Sequence, residues 1–304
     1  MADDSTPPVE ETLAREAERR PLAATAAIIA GVTSLVGTLI AGEALRDRPD
    51  VTLPEALRDA SCQGRRCPGL LTETAQYIHD KATSYTLGQA LVAISAPFIA
   101  VALVYLARAV SARRPQFSSR APMIVIAGAV ATFVGILVGQ ISLDISLSDF
   151  AGSHDHTTAA AHDALQPGGA VAAGFIAFLG HVALGLGIVL VALNAMRVGL
   201  LTRFMGVLGI MAGVFLAFPF FSIPIVQAFW LVGVGILFLG RFPNGTPPAW
   251  ETGRAEPWPS RQEMLEARGA GGPAPATEPP IASADEPADA VPAHPRSKKK
   301  KRRR

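Results

Sequence analysis

Between Gly169 and Arg197 the chain reads GAVAAGFIAFLGHVALGLGIVLVALNAMR, a run of nearly thirty residues whose one charge is the arginine that ends it. About twenty helical residues, at ~1.5 Å each, cross the hydrocarbon of a bilayer. The run predicts a membrane-spanning helix with room to tilt. Steps of four place Gly169, Ala173, Ala177, His181 and Gly185 on one stripe. Small side chains let helix backbones approach closely in lipid, so this stripe is expected to face other helices.

The rest of the chain has the same character. Half of its residues are hydrophobic and 17% are charged, a balance that belongs to a membrane class and not to a large soluble domain. An all-α, six-span transmembrane bundle is predicted, with spans at about 21–44, 85–109, 121–143, 169–196, 202–220 and 223–239. Residues 1–20 form an N-terminal segment, too long and too charged for a secretory leader, so the first span reads as a retained signal anchor. Polar loops occupy 45–84 and 144–167, and a tail of residues 242–304 follows the 21–241 bundle. Only FFSIP joins the last two spans, which makes them antiparallel neighbours.

Arg108, Arg113, Arg114 and Arg120 crowd one short connection, and Arg197 and Arg203 mark another, whereas residues 144–167 hold no Lys or Arg. Basic residues in short loops resist translocation. Both termini are therefore expected in the cytoplasm and the two long loops outside, in a plasma (inner) membrane. The first loop carries Arg46, Arg48, Arg58, Arg65, Arg66 and Lys81, but it is long and interleaved with acids. Its Cys62 and Cys67, in CQGRRC, read as a local disulfide in an oxidising compartment. Thr52-Leu-Pro-Glu55 has the form of a capping box, and residues 71–81 are expected to lead directly into the second span. Prolines every few residues and few bulky apolar side chains predict disorder from about residue 270 onward.

The stretch VALNAMRVGLLTRFMGVLGIMAGV, followed by the final span and RFPNGTPPAW, resembles a group of uncharacterised actinobacterial multipass proteins, the DUF4386-like membrane proteins. The resemblance covers about residues 85–260 and rests on topogenic motifs. It implies about six helices and no known activity, and it carries no functional residue over.

Candidate chemistry is sparse. In SDFAGSHDHTTAAAHDALQPGG, His154, His156 and His162 with Asp155 supply imidazole and carboxylate donors of the kind that suit Zn²⁺, Cu²⁺ or Ni²⁺. An extended segment can present His154 and His156 on one side, and one or two helical turns over 158–165 would offer His162. The alternative is a solvated loop whose His and Asp cap turns. His181 is the one histidine inside a span, where an ionisable group is functional by default. Bis-histidine haem ligation would need a second, so the alternative is a neutral ring hydrogen-bonded within the bundle. Gln89, Gln140 and Gln227, with Thr38 and Asp144, are expected to line a polar pocket opening outward, or else to bridge helices. No Asp, Glu, Lys or Arg lies deep in a predicted span, which weighs against charge-coupled transport. There is no G-x-S-x-G, P-loop or dinucleotide fingerprint, and no enzyme is expected.

These features leave a non-catalytic interaction or scaffold protein as the first reading, motivated by the small residues Ala131, Gly135 and Gly139 on the third span and Gly209 and Gly213 on the fifth. A membrane-protein partner or a homo-oligomer would use those stripes. A small-solute transporter or sensor, or external metal capture, are the alternatives. Lys298 to Arg304 is a partner site for anionic lipid headgroups, each basic residue contributing on the order of 1 kcal/mol within a Debye length of roughly 8 Å. Nucleic acid offers the same phosphates, but a nuclear address does not suit a chain with six spans. A soluble fragment of residues 242–304 is expected to bind anionic vesicles at low salt, to be released at high salt, and to lose binding when 298–304 are deleted; vesicle co-sedimentation measures all three.

Overall fold

The computed structural model describes residues 9–49, 52, 71–117, 120–218, 224–242 and 245–258. The described residues belong to one compact unit, Met1–Trp258. Cys62, Cys67, the capping-box residues after Thr52 and the polybasic end Lys298–Arg304 lie outside them. The described secondary structure is all helical: α1 Val9–Ala44, α2 Thr72–Asp80, α3 Ala82–Arg113, α4 Ala121–Gly152, α5 Thr158–Leu165, α6 Gly168–Arg197, α7 Arg203–Ala217, α8 Ile225–Phe238 and α9 Ala249–Thr252.

Four segments are long and apolar enough to cross a membrane: α1, α3, α4 and the run from α5 through α6. Their large outward side chains, such as Val130, Val134 and Val138 on α4 and Phe175 and Leu179 on α6, are exposed. A belt of that kind is a surface for acyl chains, and the chain is an integral membrane helical protein. Helices α7 and α8 are apolar but shorter, at 15 and 14 residues. At ~1.5 Å per residue each covers about 21–23 Å of a hydrocarbon core of about 30 Å.

Several helices are longer than the hydropathy implies, each for a local reason. α1 starts twelve residues before Pro21, with Glu10 and Glu11 in its first turn, where the helix dipole favours acids. α4 continues past Leu143 to Gly152, because Leu147 and Phe150 bury against Ala75 of α2 and Ala161 and Ala164 of α5. Asp144 is thus a helical residue and not part of a loop. α2 does lead into α3, with only Lys81 between them. Thr157 caps α5, its hydroxyl accepting from Ala160 N–H at 3.3 Å. Thr202 caps α7 in the same way, accepting from Met205 N–H at 3.2 Å.

The small-residue stripes set the helix contacts. α4 and α6 lie backbone to backbone: a Cβ on Gly180 would stand 2.4 Å from the Thr132 nitrogen, and one on Gly135 2.6 Å from the Ala177 nitrogen. Ala173 and Ala177 face α4 as the stripe implies, whereas Gly185 serves α7, its space taken by Gly213 O at 2.5 Å. On α4 the buried stripe is Gly128, Thr132 and Gly135, and Ala131 stands half-buried beside it. α1 meets α3 through Gly37 and Gly88, and meets α8 through Gly31 and Gly235. Gly209 makes room for Trp230, whose Nε1–H donates to Met205 O at 2.9 Å and joins α7 to α8.

The end of the bundle that bears the arginines is closed by a polar knot. Arg113 donates from Nη1 and Nη2 to the two Glu16 carboxylate oxygens (2.6 and 2.9 Å). It also donates to Ala249 O (3.0 and 2.8 Å) and Ala109 O (2.9 Å). Tyr105 donates to Glu16 O, and Trp250 lies under both Arg113 and Arg20, each guanidinium carbon 5.4 Å from a ring centroid. Residues 245–258 then strap across the α6–α7 turn. Glu256 N–H donates to Val198 O, and Trp250 and Trp258 donate to Leu200 O and Leu201 O at 2.9 and 2.8 Å. Gly199, at φ 78°, is the turn residue under the strap, where any Cβ would stand 2.0 Å from Glu256 O.

Gly180→Ala is expected to destabilise the bundle by about 1–3 kcal/mol, since the added methyl meets α4 backbone at Thr132 N and Gly128 O, which cannot rotate aside as a side chain can. Gly174→Ala, facing open space on the same helix, is expected to be neutral or slightly stabilising. Thermal unfolding in detergent, followed by helical circular dichroism, distinguishes the two.

Candidate functional site

All six apolar helices contribute to one cavity of about 220 Å³. Its polar lining is Ser34 and Thr38 of α1, Ser95 of α3, Thr132 of α4, His181 of α6 and Gln227 of α8; Phe215 and Leu216 of α7 are part of its apolar wall. Not one lining residue carries a formal charge. Three of the hydroxyls are directed by their own helices: Ser34 donates to Gly31 O (3.1 Å), Thr38 to Ser34 O (2.8 Å) and Ser95 to Val92 O (2.6 Å), whereas Thr132 Oγ1 has no hydrogen-bond partner among the described residues. Such back-bonding spends the hydroxyl proton and leaves the oxygen lone pairs as acceptors. His181 Nδ1 lies 2.8 Å from Ala177 O. A carbonyl only accepts, so Nδ1 carries the proton, and Nε2 of the neutral ring is left as an acceptor.

The expected pocket residues therefore divide. Thr38, His181 and Gln227 share the cavity. Gln140 and Asp144 form a separate cluster with Thr86 on α3. Gln140 Nε2 donates to Thr86 Oγ1 and to Asp144 Oδ1, both at 2.9 Å, and Thr86 donates to Asp144 Oδ2 at 2.8 Å. That closed set joins α3 to α4 and leaves the amide nitrogen of Gln140 no hydrogen to offer a ligand. Gln89 is half-buried on α3 and does not line the cavity. Ser34, Ser95 and Thr132 carry little signal in a sequence, because a lone hydroxyl residue in a span is compatible with any face.

The histidine loop does not gather. His154, Asp155 and His162 are exposed, and His156 turns inward. Its ring stands edge-on to Phe150 with centroids 5.2 Å apart, and Thr72 donates to its backbone oxygen at 2.9 Å. Asp155 accepts from Thr157 N–H at 3.0 Å, which holds its carboxyl below the usual carboxylate range. His162 lies 3.6 Å from its neighbour Asp163 on the exposed side of α5. Among the described residues no group of three or more His, Cys, Asp or Glu side chains could hold a metal ion. The reason is burial: the apolar packing of α2, α4 and α5 captures His156 and holds its imidazole against Phe150, while His154 and His162 stay exposed.

No family model matches the chain, and no curated protein or solved structure matches it.

Both ring nitrogens of His156 are buried with no hydrogen-bond partner. An unsatisfied buried polar group costs about 1–3 kcal/mol, so His156→Leu is expected to raise stability by about 1 kcal/mol or more, read as a rise in melting temperature. Zn²⁺, Cu²⁺ and Ni²⁺ titrations of the wild type and of this variant are expected to coincide; a metal-dependent stabilisation confined to the wild type would restore the metal reading.

Proposed function

We propose that this protein is a six-span bundle of the plasma (inner) membrane that binds a small, neutral, hydrogen-bond-donating solute in the cavity between its helices, as a transporter or a sensor. Two observations support six passes. Arg20 of α1 donates to Leu237 O at the end of α8, and Arg114 after α3 donates to Asn194 near the end of α6. Successive helices therefore return to one end, and the arginine-rich connections collect there, the side that Lys and Arg favour as cytoplasmic.

The cavity carries the solute reading. The three back-bonded hydroxyl oxygens and Nε2 of His181 only accept, and they outnumber the Thr132 hydroxyl and the Gln227 amide, which also donate, so the lining favours a ligand rich in N–H or O–H groups. The uncharged lining favours a neutral one. Its volume is below the roughly 300 Å³ at which drug-sized sites begin, so the occupant is small. The interaction or scaffold reading rested on the glycine stripes, and those are spent on contacts within the chain: Gly135 on α6, Gly213 on Gly185, Gly209 on Trp230.

Thiol accessibility tests the reading. With Cys62 and Cys67 replaced by Ser, Ser95→Cys is expected to react with methyl methanethiosulfonate at least tenfold faster than Val134→Cys on the outer face of α4, since only a hydrated thiol ionises to the reactive thiolate. Urea or glycerol is expected to slow the cavity site, whereas acetone, a similar size without donors, is not. Equal rates at the two positions would show a dry cavity and end the proposal.

A further inference from the structure

A second and larger cavity, about 810 Å³, opens between the first half of α1 and the last half of α3, with Ile126 of α4 at its edge. Its floor is apolar, and Leu22, Val101 and Ile126 are exposed beside it, continuous with the outer belt of the bundle. Its rim holds Arg15, Arg19 and Arg108. Two acids also line it. Glu16 is already neutralised by Arg113, and Glu18 is exposed; Arg15 is paired with Glu11. Arg19 and Arg108 make no hydrogen bond or ion pair among the described residues and stand exposed at the rim.

The spacing of rim and floor matches a lipid. Arg19 is three residues before Leu22 on α1, about 4.5 Å of helical rise, and Arg108 is four residues after Val104 on α3, about 6 Å. The headgroup zone on each side of a bilayer is about 5–8 Å deep, the difference between its full and hydrocarbon thickness shared by two faces. A phosphate at the height of the two guanidinium groups thus puts the upper acyl carbons against Leu22, Val101 and Val104. Guanidinium is the side chain best suited to phosphate, being planar and permanently charged.

We propose that this groove binds one glycerophospholipid from the surrounding leaflet, its phosphate between Arg19 and Arg108 and an acyl chain along the apolar floor, with anionic headgroups preferred. The chain's own basic terminus is excluded as the occupant by charge, since Lys298 to Arg304 has the sign of the rim. The site rests on the membrane-spanning reading of α1 and α3 and not on the central cavity.

The test uses the full chain in nanodiscs containing equal phosphatidylglycerol and phosphatidylcholine, with release into detergent and native mass spectrometry to read bound lipid. Wild type is expected to retain about one phospholipid per chain, enriched at least fivefold in phosphatidylglycerol. Arg19→Gln/Arg108→Gln is expected to lose that enrichment, Arg19→Lys/Arg108→Lys to keep most of it, and Val104→Trp, which fills the floor, to lose lipid of both kinds. Helical circular dichroism and the melting temperature check that each variant folds; the lysine variant and competition of lipid against wild type carry the test if one does not. Unchanged lipid in both the glutamine and the tryptophan variants overturns the proposal. So does displacement of the lipid by millimolar inorganic phosphate, which would mark a soluble-anion site, or a gain of lipid on deleting residues 1–8, which would make that segment the occupant. Lipid binding that fails while Ser95→Cys stays reactive removes this inference and leaves the solute reading standing.

Discussion

Arg113 is the residue on which the closed end of the bundle depends. A guanidinium has five N–H donors, and all five are used: two on the Glu16 carboxylate, two on Ala249 O and one on Ala109 O. The side chain has no solvent exposure and that of Glu16 has 12%. A buried pair of this kind adds little over an apolar replacement, but removal of one partner strands the other charge and typically costs about 3–5 kcal/mol. Its effect is therefore one of specification. It ties the polar start of α1 to the end of α3, and the same side chain fixes the strap that follows α8. Because α1 is held before Pro21, its helix continues through a residue that has no N–H to donate to Ala17 O and whose ring crowds that carbonyl.

Within the bilayer a different constraint takes over. Burial of apolar surface distinguishes little between a neighbouring helix and a lipid tail, so close packing and hydrogen bonds hold the spans together. The pairs Gly180–Thr132, Gly135–Ala177, Gly185–Gly213 and Gly37–Gly88 bring backbones together on successive helices. The central cavity lies beside those lines of close approach, and Thr132 belongs to both, with Ser34, Ser95 and His181 completing the polar lining. Small residues thus make the tight contacts and line much of the void beside them. Trp230, the largest fully buried side chain among the described residues, sits opposite Gly209 with its N–H satisfied.

The class of fold was legible because hydropathy is a one-dimensional signal: a run like 169–197 needs no partner to be recognised. Small-residue stripes were legible for the same reason, though not their partners, and so Gly185 was grouped with Ala177 when it serves another helix. Ends of helices were less legible. Asp144 and Asp149 make residues 144–152 read as loop, yet Leu147 and Phe150, one turn apart, find a core made of α2 and α5 that no local window contains. The histidine loop was misleading in the same manner. Its composition resembles a ligand set, but ligation depends on which ring the apolar packing captures, and that is decided by Phe150 and Thr72 from other helices. Glu16 and Arg113 stand 97 positions apart, so no local window shows the pair, and Arg113 reads in sequence only as one of the arginines that set topology.

The two ends of the bundle are built unequally, and the inequality bears on how the central cavity is reached. At the arginine-rich end α7 starts directly after its Thr202 cap and α8 runs to Phe238, whose ring packs edge-on against Tyr105 and Trp250. That end is thus filled by aromatic rings, the ion pair and the strap. The shortfall of α7 and α8 against a full bilayer, about 7–9 Å each, must therefore fall at the opposite end. Phe215, Leu216, Pro224, Val226 and Gln227, from just those ends, are the residues that α7 and α8 give to the cavity. If the cavity takes up a solute as proposed, the ion-paired knot and its strap disfavour entry from the arginine-rich end.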